Sequence, residues 1–500
     1  MANEGVLYTP VKLAGLIVGV IVFVIICFFD LEPGQKQTTY MLAVAILMAI
    51  WWMTEAIPIA ITALLPVVLY PLFGIMNGKE VSATYFNHII FLFIGGFIVA
   101  LAMEKWNLHR RIALRILLLV GVSPNRILIG FMVATAFLSM WISNTATAMM
   151  MVPIALSVIS QLEENVGEEY IKKYSIALLL GIAYSASIGG IATLIGTPPN
   201  IAFTQIYAQI FPSAPEISFA RWMVFALPLS IVMLFFAWLL LYLFFVPKEK
   251  FKGDVREMIE EEYSKLGKIS YEEVVVLLGF VILALLWLFR SGFDISIGQM
   301  NVKLPGWAKL FAHPDYFNDG TAAMMVALIL FVIPSKKDKS QAIMDCRTLA
   351  RLPWNIILLF GGGFALAKGF AQSGLSIWIA HRFHALSNLN IVLLIAIISV
   401  VVVILTEFTS NTATTQMVLP VLASMAVGMN VNPLLLMIPA TISASLAFML
   451  PVATPPNIVI FGSGRVRIAD MLKAGVFLDL IGVIVLLFIL FFIIKPVIIC

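Results

Sequence analysis

The sequence predicts an all-α polytopic membrane protein of about eleven transmembrane helices, arranged as two inverted repeats that each contain a re-entrant helical hairpin and a broken helix. Three observations lead there. Of the 500 residues, 61% are hydrophobic and 12% charged, with a mean hydropathy of +1.03, against averages of about 45–50% and 25% for soluble domains. Continuous apolar runs such as LAGLIVGVIVFVIICFF after Lys12 and VFLDLIGVIVLLFILFFII before Lys495 are long enough to cross the hydrocarbon as helices, and they lack the alternation of a β-barrel. Finally, SNTAT occurs at 143–147 and again at 410–414, followed each time by TPPN, at 197–200 and 454–457.

Taken in order, spans are expected near residues 12–29, 40–53, 57–74 and 88–104. The first is read as a retained span, because its flank is barely basic and no small-residue cleavage site follows. EKWNLHRRIALRILLLVG mixes Arg110, Arg111 and Arg115 with apolar residues, the pattern of a helix lying in the interface. Residues 126–160 hold two apolar arms of about 15 residues joined by SNTAT, each short for a crossing, so a re-entrant hairpin with its tip at the motif is expected. Residues 174–208 are broken at GTPPN, since adjacent prolines remove backbone donors and clash with the preceding turn. Spans near 222–246, 272–290, 320–334 and 353–369 follow; then a second hairpin over 389–427, a second broken helix over 432–460 interrupted by ATPPN, and a last span near 474–494.

The repetition keeps register. FIGGF at 93–97 and FGGGF at 360–364 stand 267 positions apart, as do Asn144 and Asn411, while Thr197 and Thr454 stand 257 apart. An internal duplication with a ten-residue deletion after the hairpin accounts for all three pairs. Five crossings separate the starts of the two copies, and an odd number makes them inverted. The division that follows is residues 1–87 as N-terminal scaffold helices, 88–221 as the first repeat, 222–352 as scaffold helices and linkers, 353–473 as the second repeat and 474–500 as a C-terminal transmembrane helix. The segments 105–126, 161–173, 247–270, 335–352 and 462–473 then share one face and carry most loop Lys and Arg, while loops 209–221 and 291–318 hold only Arg221, Lys303 and Lys309. The positive-inside rule makes the basic face cytoplasmic, with the N-terminus inside and the C-terminus outside the plasma membrane. The same topology explains the net charge of +4 without nucleic acid.

A backbone that leaves helical geometry within a bilayer persists only where protein or a water-filled cavity supplies its partners. Four breaks in matching places of two inverted repeats point to one site near the midplane. Ser, Asn and Thr oxygens with freed carbonyls suit a hard cation such as sodium. The N-terminal end of the helix beyond each tip offers free N–H groups to an anion.

In order and spacing, SNTAT with TPPN resembles the divalent anion/sodium symporter family, whose INDY-type members carry dicarboxylates and citrate. The resemblance covers essentially the whole chain. It implies a homodimer of scaffold and transport domains in the lipid bilayer, working as an elevator-type transporter with co-transported sodium and no organic cofactor. Carried over by motif position, one sodium meets Ser139, Ser143, Asn144 and Gly196, and a second meets Thr406, Ser410, Asn411 and Ala453. The substrate carboxylates lie against Asn144, Thr145, Ser410, Asn411 and Thr412, closed by Thr197, Pro198, Thr454 and Pro455. The activity implied is sodium-coupled import of succinate, malate or fumarate, and citrate as a further substrate; sodium-independent exchange and symport of sulfate or another divalent anion are the alternatives the resemblance also permits.

Other conspicuous residues receive plainer readings. The glycine clusters Gly95–Gly96 and Gly361–Gly363 are assigned to close helix packing, and Trp51, Trp52, Trp106 and Trp222 to the interfacial belt. Glu55 marks a turn. Glu407 is an intramembrane carboxylate whose counterpart at the 267 offset is Met140, so a symmetric site does not require it. Cys27, Cys346 and Cys500 form no CxxC, the histidines no metal spacing beyond the His381/His384 pair, assigned to a solvated edge, and the charged run 248–268 is expected to be a cytoplasmic linker helix. An enzyme would require a nucleophile with a base, paired acids or a metal cluster, which the re-entrant segments lack apart from Glu407. Spacing alone also admits a receptor or passive channel, which substrate-dependent accumulation against a gradient would rule out.

Overall fold

The computed structural model describes residues 9–121, 123–246, 255–297, 300–384 and 389–499. Part of the expected linker, 247–254, and Cys500 lie outside the described residues. Among those described, ten helices are long and apolar enough to cross a membrane. That tally includes one arm of each hairpin, Asn144–Glu164 and Ile391–Phe408, and omits the shorter Ile59–Leu72, Asp319–Val332 and Leu434–Ser443, so it is not a count of crossings. A two-stranded antiparallel ribbon, Gly292–Ile297 with Met300–Pro305, is an addition to the helical plan.

Local chemistry sets the helix ends. Thr9, Asn87, Ser218 and Asn390 cap the helices that follow them through side-chain oxygens, and Ser270 with Glu273 forms a capping box at the start of Tyr271–Leu288. Glu55 ends Lys36–Thr54 in the left-handed region, φ 46°. Helices form over Leu108–Val120, within the Arg-rich segment, and over Val255–Lys265, within the charged run.

Each hairpin enters and leaves on one face. The first consists of Pro124–Ser139 and Asn144–Val166; the Tyr174 hydroxyl, just past its exit, donates to the carbonyl of Pro124 at its entry (2.7 Å). The second consists of Ile391–Phe408 and Asn411–Gly428, and His384 before its entry meets the Gly428 carbonyl at its exit (3.0 Å).

Polar contacts sort the loops onto two faces in the grouping that the inverted repeat requires. On one face Lys105 pairs with Asp345 (3.0 Å), Arg110 with Glu262, Arg111 with Glu273 (2.7 Å), Arg351 with Glu104 (2.6 Å) and Arg465 with Glu163. The hydrogen bond and charge of Lys105 hold the Asp345 carboxyl below the usual carboxylate range. On the other face, Gln37 reaches the Gly74 carbonyl (2.8 Å) and Thr38 the Ser373 carbonyl (2.7 Å). There too Arg290 bonds Asp319 (2.5 Å) and Glu216 (2.9 and 3.0 Å), while Asp319 accepts the Phe219 N–H (2.8 Å).

Glycine permits close approach between helices. A Cβ on Gly95 would sit 2.6 Å from Ala323, one on Gly361 2.0 Å from Tyr85 and one on Gly362 2.5 Å from Ala63. The belt assignment of Trp52 and Trp222 is corrected: both are fully buried. Trp222 donates to the Ile191 carbonyl (2.9 Å) and Trp52 to the Ile59 carbonyl (3.1 Å). Each buried indole N–H thus finds a main-chain acceptor inside the protein, as a buried Trp requires.

The Arg290 cluster yields a stability prediction. Its guanidinium is buried among two carboxylates and the Phe317 carbonyl, and removing one partner of a buried ion pair costs about 3–5 kcal/mol. Arg290→Met should lower the thermal unfolding midpoint in detergent markedly, whereas Arg256→Met, in an exposed pair, should leave it almost unchanged.

Candidate binding site at the two hairpin tips

The two helix breaks have nearly the same geometry. Glu168–Ile191 ends before an unwound segment, and Thr197, extended at φ −141°, ψ 141°, occupies the N-cap position of Pro198–Ile210 without a side-chain capping bond. Leu434–Ser443 ends likewise, and Thr454, at φ −140°, ψ 148°, caps Pro455–Phe461. Proline in the first turn costs nothing there, because the first N–H groups of a helix lack an internal partner anyway. A buried asparagine holds each break together. Asn200 Nδ2 donates to the carbonyls of Gly190 (3.2 Å), Ile191 (3.2 Å) and Thr193 (2.7 Å). Asn457 Nδ2 donates to those of Ala447 (3.2 Å) and Leu450 (2.9 Å). Gly190 and Ala447, and Thr193 and Leu450, stand at the same 257-residue offset as the two asparagines.

The repeats interlock across these breaks. Pro198–Ile210 packs against Asn411–Gly428 of the other hairpin, and Pro455–Phe461 packs against Asn144–Val166. Tyr184 of the first repeat donates to the Phe448 carbonyl in the second break (3.0 Å) and packs edge-on against the Phe448 ring. The two SNTAT tips are thereby joined through the two TPPN segments.

At the first tip the Asn144 amide end lies 2.6 Å from Ser139 Oγ, 3.1 Å from the Ala186 carbonyl oxygen and 3.2 Å from the Gly196 carbonyl oxygen. With Oδ1 turned inward four oxygens converge; with the amide turned over, its NH2 donates to Ser139 Oγ and to the Ala186 and Gly196 carbonyls. Ser139 Oγ is also 2.6 Å from the Ala186 carbonyl. At the second tip Thr406 Oγ1 is 2.7 Å from Asn411 Oδ1 and 2.8 Å from the Ala444 carbonyl. At the second tip the Thr406 hydroxyl carries one hydrogen and faces two acceptors, so that cluster has more oxygens than protons to bridge them, a shortage that a cation removes; the first tip matches it only with Asn144 Oδ1 turned inward. Ser139 and Thr406 are completely buried, and a Cβ on Gly190 would fall 2.6 Å from Asn144 Oδ1, so only glycine there leaves the amide its place.

The tip residues Ser143, Asn144, Thr145, Ser410 and Asn411 are half-buried, and Thr412 is buried. Ser143 Oγ accepts the Ala146 N–H (3.2 Å), leaving the N–H groups that open Asn144–Val166 directed out of the helix, as the first N–H groups of a helix are. Thr197 and Thr454 are buried beside the tips' partner segments, Pro198 is half-buried and Pro455 exposed. Gly196 and Ala453 are buried at the ends of the two unwound segments, the Gly196 carbonyl within the first cluster. Cavities of about 210 and 340 Å³ lie elsewhere, one beside His88, Tyr207 and Glu216 and the other beside Ser376, His381 and Gly428.

Several members of the site escaped the sequence reading. Carbonyls such as those of Ala186 and Ala444 carry no side-chain signal. Asn200 and Asn457 did carry one, as the last letter of each TPPN. Glu407, already conspicuous in the sequence as an acid within an apolar run, accepts the Met449 and Leu450 N–H groups (2.8 Å each), and Asp479 is a second buried acid, on the last helix.

The fold and the site define a secondary transporter with discontinuous helices. Residues 10–499 match the family described as the sodium:sulfate symporter transmembrane region, and the chain belongs to that family. It is 42% identical over 502 residues to the sodium-dependent dicarboxylate transporter SdcS of Staphylococcus saprophyticus, covering 99% of this chain and 94% of that protein. It is 43% identical over 489 residues to SdcS of Staphylococcus aureus strain bovine RF122, covering 96% and 91%. Among solved structures, the efflux pump MtrF of Neisseria gonorrhoeae superposes with a TM-score of 0.54 at 11% identity over 97% of this chain and 95% of that one. The transporter YdaH of Alcanivorax borkumensis superposes at 0.50 with 12% identity over 91% and 97%.

If the asparagine clips hold the breaks, Asn200→Ala leaves the buried Gly190 and Thr193 carbonyls without a donor and Asn457→Ala leaves that of Ala447, while Trp222 still reaches Ile191 and the Ala453 N–H still reaches Leu450. At about 1–3 kcal/mol for buried unpaired groups, both variants should melt earlier in detergent than the wild type. Unchanged midpoints would show that the clips contribute nothing.

Proposed function

We propose that the protein is a sodium-coupled symporter that imports dicarboxylates such as succinate, malate and fumarate, with citrate a further substrate. The observation that carries this is the pair of oxygen-rich clusters at the hairpin tips, in which Ser139 and Asn144 of one repeat match Thr406 and Asn411 of the other and each hydroxyl meets an asparagine amide and a main-chain carbonyl. The curated relatives bear the name of sodium-dependent dicarboxylate transporters, which favours a dicarboxylate over sulfate.

In this mechanism one sodium is held by Ser139, Ser143, Asn144 and Gly196, joined by the Ala186 carbonyl, and the other by Thr406, Ser410, Asn411 and Ala453, joined by the Ala444 carbonyl. The dianion lies between the tips. Its carboxylates take donors from Asn144, Thr145, Ser410, Asn411 and Thr412 and from the first-turn N–H groups, where the helix dipoles favour negative charge. Thr197, Pro198, Thr454 and Pro455 close the site from the broken helices. Sodium binding lessens repulsion between the dianion and the carbonyl ends of the hairpin arms, so substrate affinity rises with sodium. Each net positive charge carried inward gains about 2.3 kcal/mol per 100 mV of membrane potential.

The transport domain comprises the hairpins, the broken helices and the helices packed on them, and moves as an elevator against the scaffold helices of a homodimer. The domain division 1–87, 88–221, 222–352, 353–473 and 474–500 belongs to the same reading. The face carrying Lys105, Arg110, Arg111, Arg351 and Arg465 is cytoplasmic, which sets the N-terminus inside and the C-terminus outside the plasma membrane.

Succinate uptake into proteoliposomes tests the proposal: a sodium gradient should drive accumulation into empty vesicles, and choline in place of sodium should abolish it. Uptake that needs internal counter-substrate and ignores sodium would establish exchange instead. Asn144→Ala and Asn411→Ala should each reduce uptake at least tenfold, the equivalent of about 1.4 kcal/mol; wild-type rates in both would remove the tips from the site.

A further inference from the structure

We propose that Glu407 is the positioning residue of the cation site at the second hairpin tip, fixing the unwound main chain that lends that site its carbonyl oxygens. The inference rests on the symport reading above.

Glu407 is completely buried on the last turn of Ile391–Phe408, next to Thr406, a member of the oxygen cluster. Its carboxylate faces away from that cluster toward the break: Oε1 accepts the Met449 N–H and Oε2 the Leu450 N–H, each at 2.8 Å. Both N–H groups were released when the helix ended at Ser443, and hydrocarbon offers them no other acceptor. The acceptor side of the same segment is held by Tyr184, on the Phe448 carbonyl, and by Asn457, on those of Ala447 and Leu450. The strap from 447 to 450 is thus tied through donors and acceptors alike. It runs between the two carbonyls offered to the cation, those of Ala444 and Ala453.

The comparison between repeats makes this more than a local hydrogen bond. Position 407 corresponds to Met140 and position 450 to Thr193, by the 267 and 257 offsets. In the first repeat these two positions also touch: Thr193 Oγ1 donates to the Met140 carbonyl and accepts the Gly196 N–H (3.1 Å). One half therefore ties its strap to the hairpin by a main-chain carbonyl and a threonine hydroxyl, the other by a carboxylate and two main-chain N–H groups. The contact is retained while its chemistry changes, and the absence of a carboxylate at Met140 ceases to count against a role for Glu407.

Glu407→Gln keeps one acceptor oxygen and turns an NH2 toward a strap N–H, which loosens the strap without emptying the position. In succinate uptake by proteoliposomes, the half-saturating sodium concentration should rise at least fivefold, while the KM for succinate and the maximal rate at saturating sodium stay within twofold. Thr193→Val, the mirror change, should also raise half-saturating sodium. A merely structural role would lower the maximal rate and leave the sodium dependence alone, and that result overturns the proposal, as does a sodium half-saturation within twofold of wild type. If Glu407→Gln fails to fold, Glu407→Asp, which retracts the carboxylate by one methylene, is read by the same criteria. Sodium-independent uptake by the wild type would sink the symport reading itself; a sodium-dependent wild type with an unmoved variant sinks only this inference.

Discussion

A main chain that unwinds inside hydrocarbon must carry its own hydrogen-bond partners, and the rest of this structure follows from meeting that demand at two places. Lipid accepts nothing from a freed N–H and donates nothing to a freed carbonyl. Asn200 and Asn457 therefore bridge the carbonyls around their own breaks. Thr193 and Glu407 take up released N–H groups, and Trp222 and Tyr184 attend to further carbonyls. At the hairpin tips Ser139 and Thr406 each lie within hydrogen-bond reach of an asparagine amide and a main-chain carbonyl, at the second tip with one hydrogen for two acceptors. The oxygens left short of donors are the ones a small hard cation can use.

Inversion of the repeats sets the two hairpins on opposite faces and packs each against the broken helix of the other repeat. One hairpin stands on the face marked by Glu163 and Arg465, the other on the face marked by His384 and Ser373. Because the second half of each broken helix packs on the opposite hairpin, neither tip can be displaced without disturbing the other repeat. A guest held between them, and cations held within them, would be read by the same set of helices. That arrangement supplies a structural basis for linked binding: whatever orders one strap also orders a helix on which the partner tip rests.

Much of this was legible in the amino-acid order, and what was not has physical reasons. SNTAT and TPPN announced hairpin tips and breaks because Pro and polar residues in an apolar run have few other uses, and the tips and breaks stand where those letters are. The glycine clusters indicated close packing for a similar reason, since a missing Cβ against Tyr85 or Ala323 is visible as a letter. Trp52 and Trp222 misled because an indole suits both a membrane interface and a buried carbonyl, and composition does not say which is near. The carbonyls of Ala186 and Ala444 were invisible, as every residue carries one. The ribbon at 292–305 gave no periodic signal in so short a stretch. Glu407 was discounted by symmetry, which compares side chains; its role becomes apparent only when main-chain atoms, Met140 oxygen among them, are allowed to answer for side chains.

The central claim is that both oxygen clusters hold sodium and that a dianion lies between them. A cryo-EM map of the purified protein in sodium and succinate, set against one in choline without succinate, tests it most directly. Density is expected among Ser139, Asn144, Ala186 and Gly196, a second feature among Thr406, Asn411 and Ala444, and an elongated one between the tips, all absent in choline. Tips that close on themselves in both maps, with each hydroxyl and amide paired within the protein and no density between them, would contradict it.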